Sequence, residues 1–353
     1  MLRRIQLSLN DTNTGKLARL DLVMTESLSV INQLIPALWA AGDTNKFSAL
    51  RVETWLSARM QQCLLKQAVE TVKSQRKKRR KNMPVVKKAT LNLDERFLSF
   101  SEDINTFDFW VKFASLGRGL VLRAPSRKHK HLLRYRAAGW ALRKGGRLRK
   151  DRRGWFLDLF MEKPEPALKS RGSSIGVDIG YKKLLACSDG SIYDAGLQQV
   201  YDKLARKRQG SLAFKRALTE RDQKINQSVN RINLDNVKVV VAEDLNGVKH
   251  GSRGRFRKTF NNKLQRWSYP KVLEKIQSVC EVGGITFIKV DPAYTSQSCS
   301  LCGHVDKASR IGERFCCTLC GMKMDADINA SKNILMRGTY SSPPVNQCLQ
   351  IPF

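Results

Sequence analysis

Hydrophobic and polar positions alternate over the first ten residues, Ile5, Leu7 and Leu9 set against Gln6 and Ser8, the period of two that a short strand needs. From Thr14 the spacing lengthens to that of a helix. Leu17, Leu20, Leu22, Met24, Leu28, Ile31, Leu34, Ile35 and Leu38 predict one long helix or two short ones. A break at Gly42 and Asp43 precedes a second helical stretch through Trp55, Met60, Leu64 and Val69. Residues 84–163 read as β-structure, with strands expected at 85–91, 97–100, 107–113, 119–123 and 155–161 and a helix between 128 and 140. Glycines and charged turns punctuate these strands, as in a small barrel or meander.

The pattern changes at Arg171. SIGVDIG and VKVVVAED are short apolar runs of the buried-strand kind, with a charged helical stretch between them from 198 to 232. Another amphipathic helix is expected over 263–280, restarted at Pro270, and another buried strand over 285–290. A cysteine-rich module follows, then a short helix at 328–336 and a tail. The expected division is a β domain at 1–12 and 84–170, a helical insert at 13–83, an α/β domain at 171–294 and 325–338, a cysteine module at 295–324 and an unstructured tail at 339–353.

Composition sharpens this picture. The chain has 353 residues, with 64 Lys and Arg against 31 Asp and Glu, a net charge of +33. Self-repulsion on that scale weakens a compact fold unless a polyanion neutralises it, and nucleic acid gains affinity by releasing its counterions to such a surface. Residues 73–88 hold nine basic residues and no acid, and residues 123–153 hold thirteen against the single acid Asp151. Lys77, Lys78, Arg79, Arg80, Lys81, Arg127, Lys128, Lys130, Arg147, Arg149 and Lys150 are therefore candidate nucleic-acid contacts, a solvated face being the alternative. No apolar run is long enough for a membrane span or a signal peptide. Nine cysteines without a secretory signal argue for a reducing, cytoplasmic setting and for metal ligation.

Three acids stand out within this basic chain. Asp178 ends the strand-like run Ile175-Gly176-Val177, and alternation puts it on one face with Gly176 and Gly180. An acid flanked by glycines leaves room for a phosphate backbone to approach. Glu243 ends the apolar run 237–242, at the strand edge where open α/β sheets bind ligands, with Asp244 a competing acid on the opposite face. Asp327 precedes the last helix, where either it or Asp325 can serve as the N-cap. Hard carboxylate oxygens of this kind hold magnesium while phosphate and water fill the remaining positions. Two ions sharing such ligands can activate a water and stabilise a leaving oxygen. Two magnesium ions are therefore the expected catalytic cofactor, with manganese as a stand-in in vitro.

Cys299-x₂-Cys302 and Cys317-x₂-Cys320 are two knuckles at the spacing of a Cys₄ zinc site, each followed by glycine. Four thiolates close the tetrahedral shell of a structural zinc. Cys316 competes with Cys317, though the x₂ spacing favours the latter.

The order GVDIG, VVVAEDLNG, VDPAYTSQSCSLCG, FCCTLCG and DADINASKNIL resembles the TnpB nucleases encoded by insertion sequences and their descendants, the type V CRISPR effectors. The resemblance is specific over residues 174–336 and architectural before that. It implies an α/β RNase H-like (RuvC) nuclease domain with an inserted zinc ribbon, preceded by a β-barrel wedge domain carrying a helical recognition insert. It places Asp178, Glu243 and Asp327 as the catalytic acids and the four knuckle cysteines in the ribbon. The implied activity is RNA-guided, magnesium-dependent cleavage of DNA beside a short flanking motif. The implied partners are a guide RNA and a target duplex with its displaced strand. A RuvC-fold nuclease acting without a guide and a guide-directed repressor that does not cut are the competing readings.

Overall fold

The structure, a computed structural model, describes residues 1–41, 50–78, 82–88, 90–104, 107–194, 196–245 and 264–340. The expected break at Gly42 and Asp43, the basic residues Arg79, Arg80 and Lys81, and the tail beyond 340 lie outside the described residues. The chain divides into two compact units, Met1–Pro164 and Glu165–Phe353.

The first unit opens with β1 (Leu2–Ser8), followed by α1 (Thr14–Ala40) and α2 (Ala58–Arg76). Asn13 caps α1 by accepting the Lys16 N–H at 3.0 Å, and Ser57 caps α2 by accepting that of Met60 at 3.1 Å. The buried stripe of α1 runs through Leu20, Val23, Ser27, Val30 and Ile31, Leu34 and Ile35, and Leu38, steps of three and four. Leu22 falls off that stripe and is 64% exposed. The strands β2 (Thr90–Leu93), β3 (Leu98–Ile104), β4 (Phe107–Phe113), β5 (Leu122–Ser126), β6 (Ala141–Asp151) and β7 (Gly154–Glu162) follow, with α3 (Lys130–Ala137) before β6.

Among the described residues these strands form two antiparallel sheets, β1-β7-β6-β2 and β3-β4-β5, not one closed ladder. Both sheets and both long helices share one core, which joins Leu7, Leu34, Leu64, Phe109 and Leu157. The strand expected at 85–91 begins only at Thr90. Before it, the Asn32 side chain binds both the N–H and the carbonyl of Val86 at 2.9 Å, replacing a ladder partner.

The second unit is built on a five-stranded sheet. β8 (Ser173–Asp178), β9 (Leu185–Cys187) and β10 (Ile192–Tyr193) form an antiparallel meander. Beyond α4 (Leu197–Arg206) and α5 (Leu212–Val229), β11 (Val237–Glu243) pairs parallel to β8, and β12 (Thr286–Val290) pairs parallel to β11 after α6 (Tyr269–Gly283). The order β10-β9-β8-β11-β12 is the RNase H-like arrangement. Pro270 stands in the first turn of α6, where its missing N–H costs no helix bond.

The two faces of this sheet bury different partners. Ile175, Val177, Val240 and Ala242 pack against α4, α5 and α6. Val239 and Val241 pack against Ile334 and Leu335 of the last helix, α7 (Ala326–Tyr340). Between β12 and α7 lies a small three-stranded sheet of β13 (Arg310–Ile311), β14 (Arg314–Cys316) and β15 (Lys323–Asp325). Among the described residues no helix is long and apolar enough to cross a membrane.

Candidate active site

Alternation along β8 and β11 decides which side chains face α7. Val239 and Val241 do, so Glu243 does too; Gly176 does, so Asp178 does too. Ala242 pairs with Val177 in the parallel register, which sets Glu243 beside Asp178 one residue further along. α7 starts at the same edge and brings Asp327 in its first turn. The three acids line one cavity of about 540 Å³, together with Arg310 on β13, Glu313 in the turn that follows it, and Tyr181, Leu264 and Trp267.

The glycines beside Asp178 serve α7 and the following turn, which corrects the expectation that they leave room for a phosphate backbone. A Cβ on Gly176 would stand 2.1 Å from the Ser331 carbonyl oxygen and 2.7 Å from the Leu335 nitrogen, both in α7. One on Gly180 would stand 2.3 Å from the Lys183 carbonyl oxygen. Gly338 repeats the device from the helix side, where a Cβ would lie 2.5 Å from both methyls of Val241. Backbone-to-backbone packing thus fixes the height at which α7 presents Asp327.

The choice of N-cap is settled by the hydrogen bonds. Asp325 Oδ1 accepts the N–H groups of Asp327 at 3.0 Å and Ile328 at 3.3 Å, while its other oxygen pairs with Lys183 at 2.5 Å. Burial opposes ionisation of Asp325, but the ammonium and the two N–H groups outweigh it and hold its carboxyl below the usual range. With the cap supplied by Asp325, Asp327 faces the cavity, where Arg310 donates to it at 2.8 Å.

Burial and like charge act against ionisation of two of the three acids. Burial, then the charges of Glu243 and Asp327, push Asp178 well above the ordinary carboxylate range, against the pull of Arg310. Glu243, 8% exposed, is raised by burial, and the Thr295 hydroxyl that donates to it works the other way. Like charges hold apart until a cation lies between them, so the set suits divalent ions with oxygen preference.

Thr295 is itself held by α7. The Asn333 amide donates to the carbonyls of Thr295 at 2.8 Å and Ser298 at 2.7 Å, and that of Asn329 donates to Ser298 at 2.7 Å. Asn329 also accepts the Ser300 N–H at 2.9 Å. Both asparagines are buried, and they stitch the start of the cysteine module to the helix that carries Asp327.

Within that module the four Sγ atoms of Cys299, Cys302, Cys317 and Cys320 all lie within 4.8 Å of one another. The pairs Cys299–Cys320 and Cys302–Cys317 stand 3.8 and 3.6 Å apart. A zinc–sulfur bond of ~2.3 Å gives a tetrahedron with edges of about 3.8 Å, so the donor set fits zinc. Gly303 and Gly321, at φ of 76° and 72°, turn the chain so that their N–H groups meet the carbonyls of Cys299 and Cys317. Cys316 pairs with Lys323 in β14 and stays out of the set.

The basic candidates belong to the first unit. Lys77 and Lys78 are exposed at the end of α2, and Lys130 and Arg147 are exposed on α3 and β6. Arg127, its side chain 76% exposed, lies 3.7 Å from Asp11. Lys128, Arg149 and Lys150 are engaged within the fold, by Glu102 at 3.1 Å, Asp158 at 3.2 Å and Asp21 at 2.5 Å.

Reading the chain alone did not single out Arg310, Thr295, Asn329 or Asn333. Only the asparagines left a trace, as two amides one helical turn apart in DINASKNIL.

The fold and site define an RNase H-like domain with converging carboxylates and a cysteine module inserted before the last of them. Residues 269–334 match the family described as Cas12f1-like, TNB domain. The chain is 49% identical over 72 residues to the CRISPR-associated endodeoxyribonuclease Cas12f1 of Sulfoacidibacillus thermotolerans, 20% of this chain and 17% of that one. It is 36% identical over 98 residues to a TnpB-like protein of Aquifex aeolicus (strain VF5), 27% of this chain and 31% of that one. A chain in the cryo-EM structure of the Cas12f1-sgRNA-target DNA complex superposes with a TM-score of 0.62 at 14% identity, over 91% of this chain and 83% of that one, a likeness of fold. The chain is thus a relative of the TnpB-like and Cas12f1 proteins, and its alignment spans less than a third of the length of either curated relative.

Proposed function

We propose that this protein is an RNA-guided DNA endonuclease that hydrolyses phosphodiester bonds in target DNA beside a short flanking motif. The observation that carries the reading is the convergence of Asp178, Glu243 and Asp327, from two parallel strands and one helix start, on a single cavity. Asp178, Glu243 and Asp327 would hold two magnesium ions, which supply Lewis acidity and an activated water. Thr295 occupies one oxygen of Glu243, and Glu243 lines the cavity. Arg310 brings a fixed positive charge to the rim, suited to a phosphate whose charge grows as the bond breaks. The cysteine set would hold one zinc, which braces the segments carrying Thr295 and Arg310.

The first unit, in this reading, is a wedge with a helical recognition insert that binds the guide and the flanking duplex. Lys77, Lys78, Arg127, Lys130 and Arg147 are among its exposed cations, and base pairing by the guide supplies sequence specificity. The chain's similarity to Cas12f1, a CRISPR-associated endodeoxyribonuclease, supports the chemistry. The chemistry fits a cytoplasmic setting.

The test is cleavage of a target matched to whatever RNA copurifies with the full chain. Wild type should cut in magnesium, and Asp178→Ala should bind the target without cutting it. Cutting retained by Asp178→Ala removes the catalytic assignment. Cutting without RNA favours an unguided nuclease, and wild-type binding without cutting favours a repressor.

A further inference from the structure

The cavity that holds the three acids is lined on another part of its wall by two aromatic rings the proposed chemistry does not use. Trp267 donates its indole N–H to the Gly180 carbonyl at 3.1 Å, two residues beyond Asp178. Tyr181 stacks on Tyr201 with centroids 4.9 Å apart and planes 23° apart. Tyr201 is itself 1% exposed, and its hydroxyl accepts the Ser268 N–H at 3.3 Å, so it ties Tyr181 to the segment carrying Trp267. Trp267 lies against Tyr269, centroids 5.0 Å apart, and Tyr269 is buried at the start of α6.

Each ring is thus backed by a buried aromatic, and Trp267 is tied to the backbone two residues beyond Asp178. Tyr181 and Trp267 are half-buried, and both border the cavity, as does Leu264. A ring needed only for the core would be covered; these two present surface beside a cluster of carboxylates. At about 540 Å³ the cavity lies within the range of small-ligand sites.

We infer that Tyr181 and Trp267 form a stacking slot for one unpaired nucleobase next to the phosphate that is cut. A base in a duplex has both faces covered by its neighbours, and only an unstacked one can lie on an aromatic ring. The slot is a positioning device: it fixes the nucleotide, and the acids act on its phosphate. Stacking is indifferent to base identity because every base has a π-face, so the slot selects for a base being present and not for which base it is. This inference rests on the nuclease reading, and its test is arranged so that the two can fail separately.

The contact is read in an Asp178→Asn chain, purified with the RNA it holds, incubated with an oligothymidylate carrying 5-iodouracil and irradiated. An adduct on Tyr181 or Trp267 is expected, and adducts confined to other residues overturn the slot. This arm requires no cutting, so it decides the slot even if wild type cleaves nothing, an outcome that would sink the nuclease reading alone. The functional arm is a cycle on matched targets. An abasic nucleotide beside the cut should slow wild type about ten-fold or more, the scale of one lost base stack. The same lesion should have little effect on Tyr181→Leu and Trp267→Leu, while Trp267→Phe keeps the response. Equal slowing by the abasic lesion in wild type and in both leucine variants, at unchanged melting temperature, overturns the slot and assigns the rings to packing.

Discussion

Arg310 of the small three-stranded sheet donates to Asp327 at 2.8 Å, so the cysteine module delivers a cation to the carboxylate cluster that the large sheet builds. Its side chain is 30% exposed and Asp327 is 15% exposed, a partly desolvated pair that water screens weakly. Replacing Arg310 by Ala removes the charge that partly offsets the mutual repulsion of the acids. If Arg310 faces the phosphate as proposed, Arg310→Ala lowers single-turnover cleavage by about 10²–10³-fold, the usual effect of removing one transition-state donor. Zinc content should not change. Cleavage unchanged within a factor of three would assign the arginine to holding Asp327 in place only.

Thr295→Val makes a narrower cut. It leaves Glu243 buried without its hydroxyl donor, a loss of about 1–3 kcal/mol in stability. The hydroxyl favours the charged carboxylate, so removing it pushes Glu243 further up from a value already raised. The acid limb of the pH–rate profile should therefore move to higher pH. Thr295→Ser should restore the wild-type limb, and a limb that does not move in the valine variant would contradict the role given to the hydroxyl.

Serine at both Cys317 and Cys320 should release zinc, because hydroxyls do not replace thiolates around it. Cys317 is drawn down to about 6, chiefly by the Cys320 N–H, a state ready to bind metal. Since the module also places Thr295 and Arg310, loss of zinc should abolish cleavage and destabilise the second unit. Metal analysis and calorimetry on the full chain measure both. Unchanged zinc content in the double variant would remove the ribbon assignment.

How much of this was legible in the chain depended on contrast. Asp178 and Glu243 each end an apolar run, and an acid there breaks the pattern around it. Arg310 has no such contrast in a chain with 64 Lys and Arg, and its role comes from a hairpin fold that spacing does not reveal. β6 was hidden for a related reason. In its sequence ALRKGGRLRKD the only apolar side chains buried are Leu142, in part, and Leu148, and a register shift between Leu142 and Gly146 breaks the period of two. Gly176 was visible as a glycine in a strand, but its use was misread, because a close approach looks the same in sequence whether the visitor is a phosphate or a helix. The run Trp155–Met161 is apolar at every position but Asp158, and the strand expected at 155–161 falls where β7 lies.

Glu102 offers a pH test in the first unit. On β3 it receives both guanidinium nitrogens of Arg136 from α3, one at 2.6 Å, with the Lys128 ammonium 3.1 Å away. The Arg136 hydrogen bonds, with Lys128 adding to them against burial, hold its carboxyl at about 2, below the ordinary 4.5. A carboxyl depressed in the folded state stabilises the fold fully above its unfolded value, and that stabilisation fades as pH falls from about 4.5 through about 2. Its side chain is 30% exposed, so solvent screening limits the contribution to roughly 1 kcal/mol. Glu102→Gln should therefore melt a few degrees below wild type at pH 7, and the gap should narrow steadily below pH ~4.5. A gap that stays constant down to pH 3 would mean that the pair contributes through shape and not through charge. The same pairing commits Lys128 to the fold, so Lys128→Ala should flatten the salt dependence of nucleic-acid binding less than Lys130→Ala, whose cation is exposed.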